Sequence, residues 1–448
     1  MRWIWLSLPL LGLWLTISPF LLDYAATPPP DVARVAQLRG LPPAEVRAGW
    51  ATWNDVIVGL LVAVLGLLSA SPRRIWAPWA VALAGVWLLF APFALWTPSP
   101  ADHLNDTLVG ILLISLTVLV PGMPGMPLIM KMGAEVPPGW SYNPSSWLQR
   151  TPVIALGWLG FFISRYMGAY QLGHIDAVWD PFFGAGTERI LDSHISLMWP
   201  ISDAGLGSVI YAGEALMGYM GSTMRWRTMP WMVAFFGIAV IPLGLVSIAL
   251  VIMQPVAVGT WCTLCLVTAA AMLVMMPLAV DEVVAMLQFL GHNVRAGANL
   301  WRSFFLGYGI EGEADERTPD YGGPLRSTIP ASAWGVTLPR GLLLAAVAGT
   351  WLLFAPELLA TTAALANSNH LSGALAASIA VIVLAEPIRL GRWLNLPVAA
   401  WVAVSAVLLG GGPIDIAHNV FVGLLIAAGS IPRGSIRQRF GDWQRLVR

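Results

Sequence analysis

The run MPWMVAFFGIAVIPLGLVSIALVI at 229–252 carries no charged residue. As a helix rising about 1.5 Å per residue, it is long enough to cross a hydrocarbon core of roughly 30 Å. The rest of the chain has the same character. Hydrophobic residues make up 57% of the 448, charged residues 11%, and mean hydropathy is +0.72. Soluble domains carry about 25% charged residues, so a chain this poor in charge cannot cover a globule and takes lipid as the solvent for its outer face. Further apolar runs lie near 3–22, 54–70, 78–97, 105–121, 152–170, 202–221, 258–280, 341–360, 371–386, 397–412 and 414–430. The expected fold is an all-α integral membrane protein with about twelve transmembrane helices.

Net charge is zero, which gives no bulk attraction to nucleic acid. With the amino terminus in the cytoplasm, the basic residues Arg2, Arg73, Arg74, Lys131, Arg150, Arg225, Arg227, Arg389 and Arg392 fall on the cytoplasmic side. The 281–340 segment and the tail residues Arg433, Arg437, Arg439, Arg445 and Arg448 fall there too, whereas Arg34, Arg39, Arg47, Arg165 and Arg189 lie outside. The excess of Lys and Arg sets the orientation, with both termini cytoplasmic. Arg2, the first apolar run and YAAT at 24–27 mimic a cleaved signal peptide, but that run belongs to a repeat.

WLLFAP occurs at 87–92 and 351–356, with WLTISP at 14–19 as a looser copy. Each is followed by an apolar segment that opens on a polar pair and reaches a glycine: WNDVIVG (53–59), LNDTLVG (104–110) and SNHLSG (368–373). HNVFVG (418–423) is a fourth copy whose upstream run lacks the tryptophan–proline signature. The unit is a helix pair in which proline stops the first helix and Asn or Asp caps the second. Two units precede residue 122 and two follow residue 338. These signatures resemble the SPW repeat, a bacterial membrane-helix module, and the resemblance implies a scaffold or docking role for 1–121 and 341–432. Linkers at 122–151 and 281–340 bound a central unit at 152–280, and a basic tail occupies 433–448. Within the second linker, 284–308 reads as an amphipathic helix at the cytoplasmic face.

The only two cysteines form WCTLC at 261–265. Positions i and i+3 share a helix face, at a separation suited to a disulfide. Pro255 and Gly259 place Cys262 in the first turn of a span, where the helix dipole favours the reactive thiolate. The topology puts that turn outside, where disulfides persist. Zinc wants four ligands, and there is no second cysteine pair.

A C-x-x-C opening the fourth span of a four-span unit resembles the vitamin K epoxide reductase family. WPISDAGLGSVIYAGEALMG (199–218) resembles that family's stretch entering its second helix, with Asp203 where the family usually has Asn. The resemblance implies a central four-helix redox bundle that exchanges electrons between thiols and a quinone, menaquinone or ubiquinone. It implies catalytic roles for Cys262 and Cys265, with Cys265 facing the quinone and Cys262 exchanging with an external thiol protein. Asp203, Tyr211 and Glu214 are the candidate quinone contacts. Asp203 reads equally as a helix cap, and Glu214, about 16 Å deeper, is an intramembrane acid of the kind that marks function. Many members of that family carry a second cysteine pair in the loop between helices one and two. Here that loop (171–201) has none and instead holds His174, Asp176, Asp180, Glu188, Asp192 and His194. His174, Glu188 and His194 are candidates for a proton relay, against the reading of an ordinary solvated loop.

The expected function is a thiol–disulfide oxidoreductase of the bacterial cytoplasmic membrane, working with membrane lipid, a quinone and an external thioredoxin-like protein. The alternative is a non-catalytic scaffold or a lipid- or quinone-binding protein. A transporter fits less well, because few polar residues lie at mid-membrane to form a path.

Overall fold

The computed structural model describes residues 2–71, 73–74, 76–118, 133–307, 321–359 and 361–447. Lys131, Arg448 and the side chain of Arg2 lie outside the described residues, as do 122–132 and 308–320 of the two expected linkers. Regular structure among the described residues is helical, with two isolated bridges.

The chain divides into two compact units. Met1–Leu128, Gly157–Met220 and Trp261–Thr268 form the first; Ile129–Leu156, Gly221–Thr260 and Ala269–Arg448 form the second. In chain order the principal helices begin with α1 (Arg2–Leu21), α2 (Asp31–Arg39), α3 (Ala44–Ser69), α4 (Trp76–Ala94), α5 (Pro100–Val118) and α6 (Trp147–Leu172). There follow α7 (Gly186–Leu191), α8 (His194–Leu197), α9 (Asp203–Tyr219), α10 (Arg225–Thr228), α11 (Pro230–Met253) and α12 (Thr263–Arg295). The chain continues with α13 (Leu300–Leu306), α14 (Leu325–Ala331), α15 (Arg340–Leu359), α16 (Ala363–Ile382), α17 (Asn395–Leu408) and α18 (Pro413–Ser430).

Eight helical segments among the described residues are long and apolar enough to cross a membrane: α3, α4, α6, α11, α12, α15, α17 and α18. The remaining expected spans are also helices, but α1 has its apolar stretch at Leu6–Leu21, α9 is 17 residues long, α5 opens on a polar turn, and α16 carries Asn367, Ser368, Asn369 and His370 in its second turn. Exposed side chains such as Phe235, Ile238 and Leu245 on α11 form the apolar surface that lipid covers. The protein is an all-α, multi-pass membrane protein.

The helix-pair repeats fold as hairpins, and their glycines explain the close approach. In the first unit α1 packs on α3 and α4 on α5. A Cβ on Gly59 would lie 2.6 Å from the Gly12 carbonyl oxygen, and one on Gly110 would lie 2.7 Å from that of Gly85. In the second unit Gly373 meets the Gly349 carbonyl in the same way (2.6 Å), and Gly423 that of Ala399 (2.8 Å). Any side chain there would push the backbones apart.

The polar pairs do something other than capping. Asn54 lies ten residues inside α3, and Asn105, Ser368 and His418 are likewise internal to their helices. Each instead receives an indole N–H across the repeat. Trp14 donates to Asn105 (2.8 Å) and Trp87 to Asn54 (2.7 Å), so the two hairpins of the first unit exchange bonds reciprocally. Trp351 donates to His418 (2.8 Å) and Trp401 to Ser368 (3.0 Å), repeating the exchange in the second unit. A tryptophan ring facing lipid has no water for its N–H, so an internal partner is required. Trp401 is thus the tryptophan that the fourth copy's sequence had concealed. The prolines also depart from expectation: Pro19, Pro92 and Pro356 lie within the last turn of α1, α4 and α15, and the helices end two or three residues later.

The second unit has its own core around Trp140, Tyr142, Trp226, Phe289 and Phe440. Beside it Arg225 and Glu282 form a buried ion pair at 2.6 Å. Residues 284–295 continue α12 rather than starting a separate surface helix, because Phe289 and Leu290 are buried in this core; only α13 remains of the expected amphipathic element. The tail is not free either: Phe440 and Val447 are buried, and Phe440 bridges to Trp140.

Candidate functional site

The chain leaves α11 through a π turn at Gln254–Val258, ended by Gly259 at φ +74°. Cys262 immediately precedes α12, one residue earlier than the first turn expected for it. Its Sγ accepts the amide N–H of Cys265 at 3.0 Å, occupying the place of a capping oxygen. The two cysteines are joined in a disulfide with Cα atoms 5.3 Å apart. Cys262 is fully buried and Cys265 half-buried, its Sγ 3.8 Å from Met167 Sδ of α6. Met167, Tyr170, Val178, Leu191 and Ala204 form the apolar jacket of the pair.

Asp180, one of the acids of the 171–201 loop, holds this arrangement together. Asp180 accepts the backbone amides of Phe182 (3.2 Å) and Phe183 (2.9 Å), forming a local turn. It also accepts the amide and hydroxyl of Thr187 (3.1 and 2.6 Å). Finally it binds the first residue of α12, through the Thr263 amide (3.3 Å) and the Thr263 hydroxyl. Partial burial pushes the carboxyl up, but the bonds from Thr187, Thr263, Phe183 and Phe182 outweigh it and hold Asp180 well below the usual carboxylate range. The loop is therefore latched by one carboxylate onto the helix end that bears the disulfide. Next to the latch, Trp179 and Phe182 are 69% and 79% exposed.

Deeper along α9, Tyr211 donates to the carbonyl of Thr268 at 2.8 Å, and the Thr268 hydroxyl bonds the Cys265 carbonyl at 3.0 Å. Tyr211 thus reaches α12 one turn beyond the disulfide. Its ring packs on Gly160 of α6, where no side chain would fit. Glu214 is fully buried, and neither of its carboxyl oxygens has a hydrogen-bond partner among the described residues. In its protonated form a buried, unpartnered carboxyl has one O–H to donate, which suits a ligand that presents an acceptor oxygen.

Asp203 is not the cap of α9; Ser202 is, accepting the Gly205 amide at 2.8 Å. Asp203 instead accepts Gln171 Nε2 (2.5 Å) and the Ser196 hydroxyl (3.0 Å), tying α6, α8 and α9 together. Gln171, which sequence alone did not single out, is the hub of that network, since its Oε1 also accepts the Ser202 hydroxyl at 2.5 Å.

His174, Glu188 and His194 are not brought together. His174 bonds the Thr97 carbonyl (2.9 Å) and lies against the His103 ring at 5.5 Å. Burial pushes its imidazole down to about 4, the Thr97 carbonyl opposing and Arg165 and Arg47 adding to the fall. Glu188 accepts the Val178 amide at 3.0 Å, and His194 is exposed at the start of α8. Arg165 bonds the Thr107 hydroxyl and the His103 carbonyl of α5.

The connector between the first two repeats buttresses the same loop. Arg34 pairs with Asp192 (3.1 Å), which also accepts the Tyr170 hydroxyl (2.9 Å), and Arg39 reaches the Ser196 hydroxyl (3.2 Å).

Residues 151–280 match the family model of the vitamin K epoxide reductase family, and residues 43–120 that of the SPW repeat domain. The first match takes in α6, α9, α11, the disulfide and the part of α12 up to residue 280; the second takes in α3, α4 and α5. No curated protein and no solved structure matches the chain.

Proposed function

We propose that this protein is a membrane thiol–disulfide oxidoreductase whose Cys262–Cys265 pair links an external thioredoxin-like thiol protein to a membrane quinone. The observation that carries the reading is the disulfide at the amino end of α12, inside the 151–280 family match, with amide hydrogen bonding to Cys262 Sγ. A sulfur so placed is stabilised as thiolate, the form that attacks and leaves in disulfide exchange.

The steps assigned to this chain follow from that chemistry. A thiolate of the external protein attacks Cys262 Sγ, the Cys262–Cys265 bond breaks, and Cys265 leaves as thiolate while a mixed disulfide forms. The partner's second thiolate then attacks the mixed disulfide, so the partner departs oxidised and Cys262 is released. The chain is left with two thiols and two extra electrons. A bound quinone supplies the two-electron acceptor for that dithiol. Glu214 and Tyr211 are the residues assigned to hold it, Glu214 by hydrogen bonding through its unpartnered carboxyl. Cys262 is buried while the latch is closed, so the Asp180–Thr263 contact must open for the partner to enter. The exposed Trp179 and Phe182 offer the apolar surface for that partner to grip. With no cysteine besides this pair in the sequence, the thiols on the far side of the exchange belong to another protein. In the intact protein, thiol titration together with assay of co-purified quinone tests the reading. A redox-active pair with bound quinone supports it, and an inert disulfide without quinone favours a scaffold.

A further inference from the structure

Three carboxyl groups meet inside the first unit: Asp55 of α3, and Asp102 and Asp106 of α5. All three side chains are buried, and one carboxylate oxygen from each lies within 4.8 Å of the others. Asp102 and Asp106 are four residues apart and share one face of α5. Asp55 accepts the Tyr24 hydroxyl (2.9 Å) and Asn54 Nδ2 (3.1 Å), while Asn105 Nδ2 fixes that hydroxyl and Ser18 (3.0 Å each). Oδ1 of Asp102 and Oδ1 of Asp106, by contrast, are buried with no hydrogen-bond partner among the described residues. None of the ion pairs among the described residues reaches any of the three. Buried acids without a counter-charge are costly.

The second unit holds the control. In its hairpins Asn369 and Asn419 stand where Asp55 and Asp106 stand in the first, one residue after Ser368 and His418. Their carboxamides bond each other at 2.8 and 3.3 Å. The second unit thus completes this pairing with neutral side chains, where the first pairs two acids, Asp55 and Asp106, and adds a third, Asp102.

We propose that Asp55, Asp102 and Asp106 bind a hard divalent cation of the calcium class. The donor set is all oxygen, which selects hard cations over zinc or copper. Three oxygens that all lie within 4.8 Å of one another are close enough to share one ion at a calcium–oxygen distance of about 2.4 Å. A cation there joins α3 to α5 across the reciprocal hairpins and supplies the counter-charge that the three buried acids lack among the described ion pairs. It also braces the turn of α5 whose His103 and Thr107 meet His174 and Arg165 beneath the loop.

The test uses the full chain in detergent, stripped with a chelator and titrated with calcium chloride, with bound calcium and thermal unfolding both followed. One saturable site per chain and a higher unfolding temperature, reversed by chelator, are expected. Asp102→Asn should weaken binding by about tenfold or more. The double variant Asp55→Asn/Asp106→Asn, which copies the second unit, should lose the site and become indifferent to chelator while keeping its helical content. If that variant does not fold, Asp102→Asn alone decides. No saturable binding and no shift in wild type means the carboxyls hold protons only, and overturns the proposal; so does binding that Asp102→Asn leaves unchanged.

Discussion

Glu214 carries the quinone half of the proposed function, because its two carboxyl oxygens are buried with no hydrogen-bond partner among the described residues. Glu214→Gln keeps the shape and removes the acid. It should slow quinone reduction by roughly tenfold, equivalent to one hydrogen bond of about 1.4 kcal/mol, while thiol titration of Cys262 and Cys265 stays normal. Unchanged turnover removes Glu214 from the site. His174 gives a pH dependence with a definite sign. Its folded pKa of about 4 lies below the ordinary value near 6.5. Between those values the unfolded chain binds a proton that the folded chain refuses, so stability rises with pH through that window and is complete above it. Unfolding temperature should fall by roughly 2–4 °C from pH 7 to pH 5, and His174→Gln should flatten the difference. The cysteine pair was legible in the sequence because its spacing is local. Asp180 was not, because the partner that gives it meaning, Thr263, lies 83 positions away.

Apolar runs made most helices legible, since a span must satisfy its backbone internally and advertises itself by composition. What they concealed was where helices begin and what polar residues inside them face. The Asn–Asp pairs looked like caps because caps and internal polar contacts draw on the same residue types; only the tryptophans opposite distinguish them. Likewise 284–295 read as a surface helix, although its apolar side chains continue α12 into the second core. The contact between the 171–201 loop and α12 is where an element-level change should be seen. Asp180→Ala removes every bond of the latch at once. It should speed reduction of the disulfide by a small thiol several-fold, by exposing Cys262, without altering Glu214 or Tyr211. A rate equal to wild type contradicts the latch.

Both units carry the same reciprocal pair of hairpins, yet the disulfide and its loop lie wholly in the first. The repeats at the amino end therefore act as the platform for the loop, through α2, Arg34 and Arg39, while those of the second unit accompany a separate core. The proposed exchange with an external protein requires the 171–201 loop to face out of the cell. Reporter fusions after Asp192 and after Arg227 should accordingly report opposite sides of the membrane, with Asp192 outside. The same side for both removes the compartment argument.

The central claim is tested most directly by trapping the exchange itself. In cells expressing Cys265→Ala, the lone Cys262 thiolate attacks the disulfide of an already oxidised partner, one partner sulfur leaving as thiolate, and nothing in this chain resolves the mixed disulfide that forms. A non-reducing gel should show the variant shifted by a covalently bound external protein that reductant releases, with far less of this adduct for Cys262→Ala. If neither variant captures any protein while the wild-type pair stays redox-silent, the protein is not a thiol–disulfide oxidoreductase.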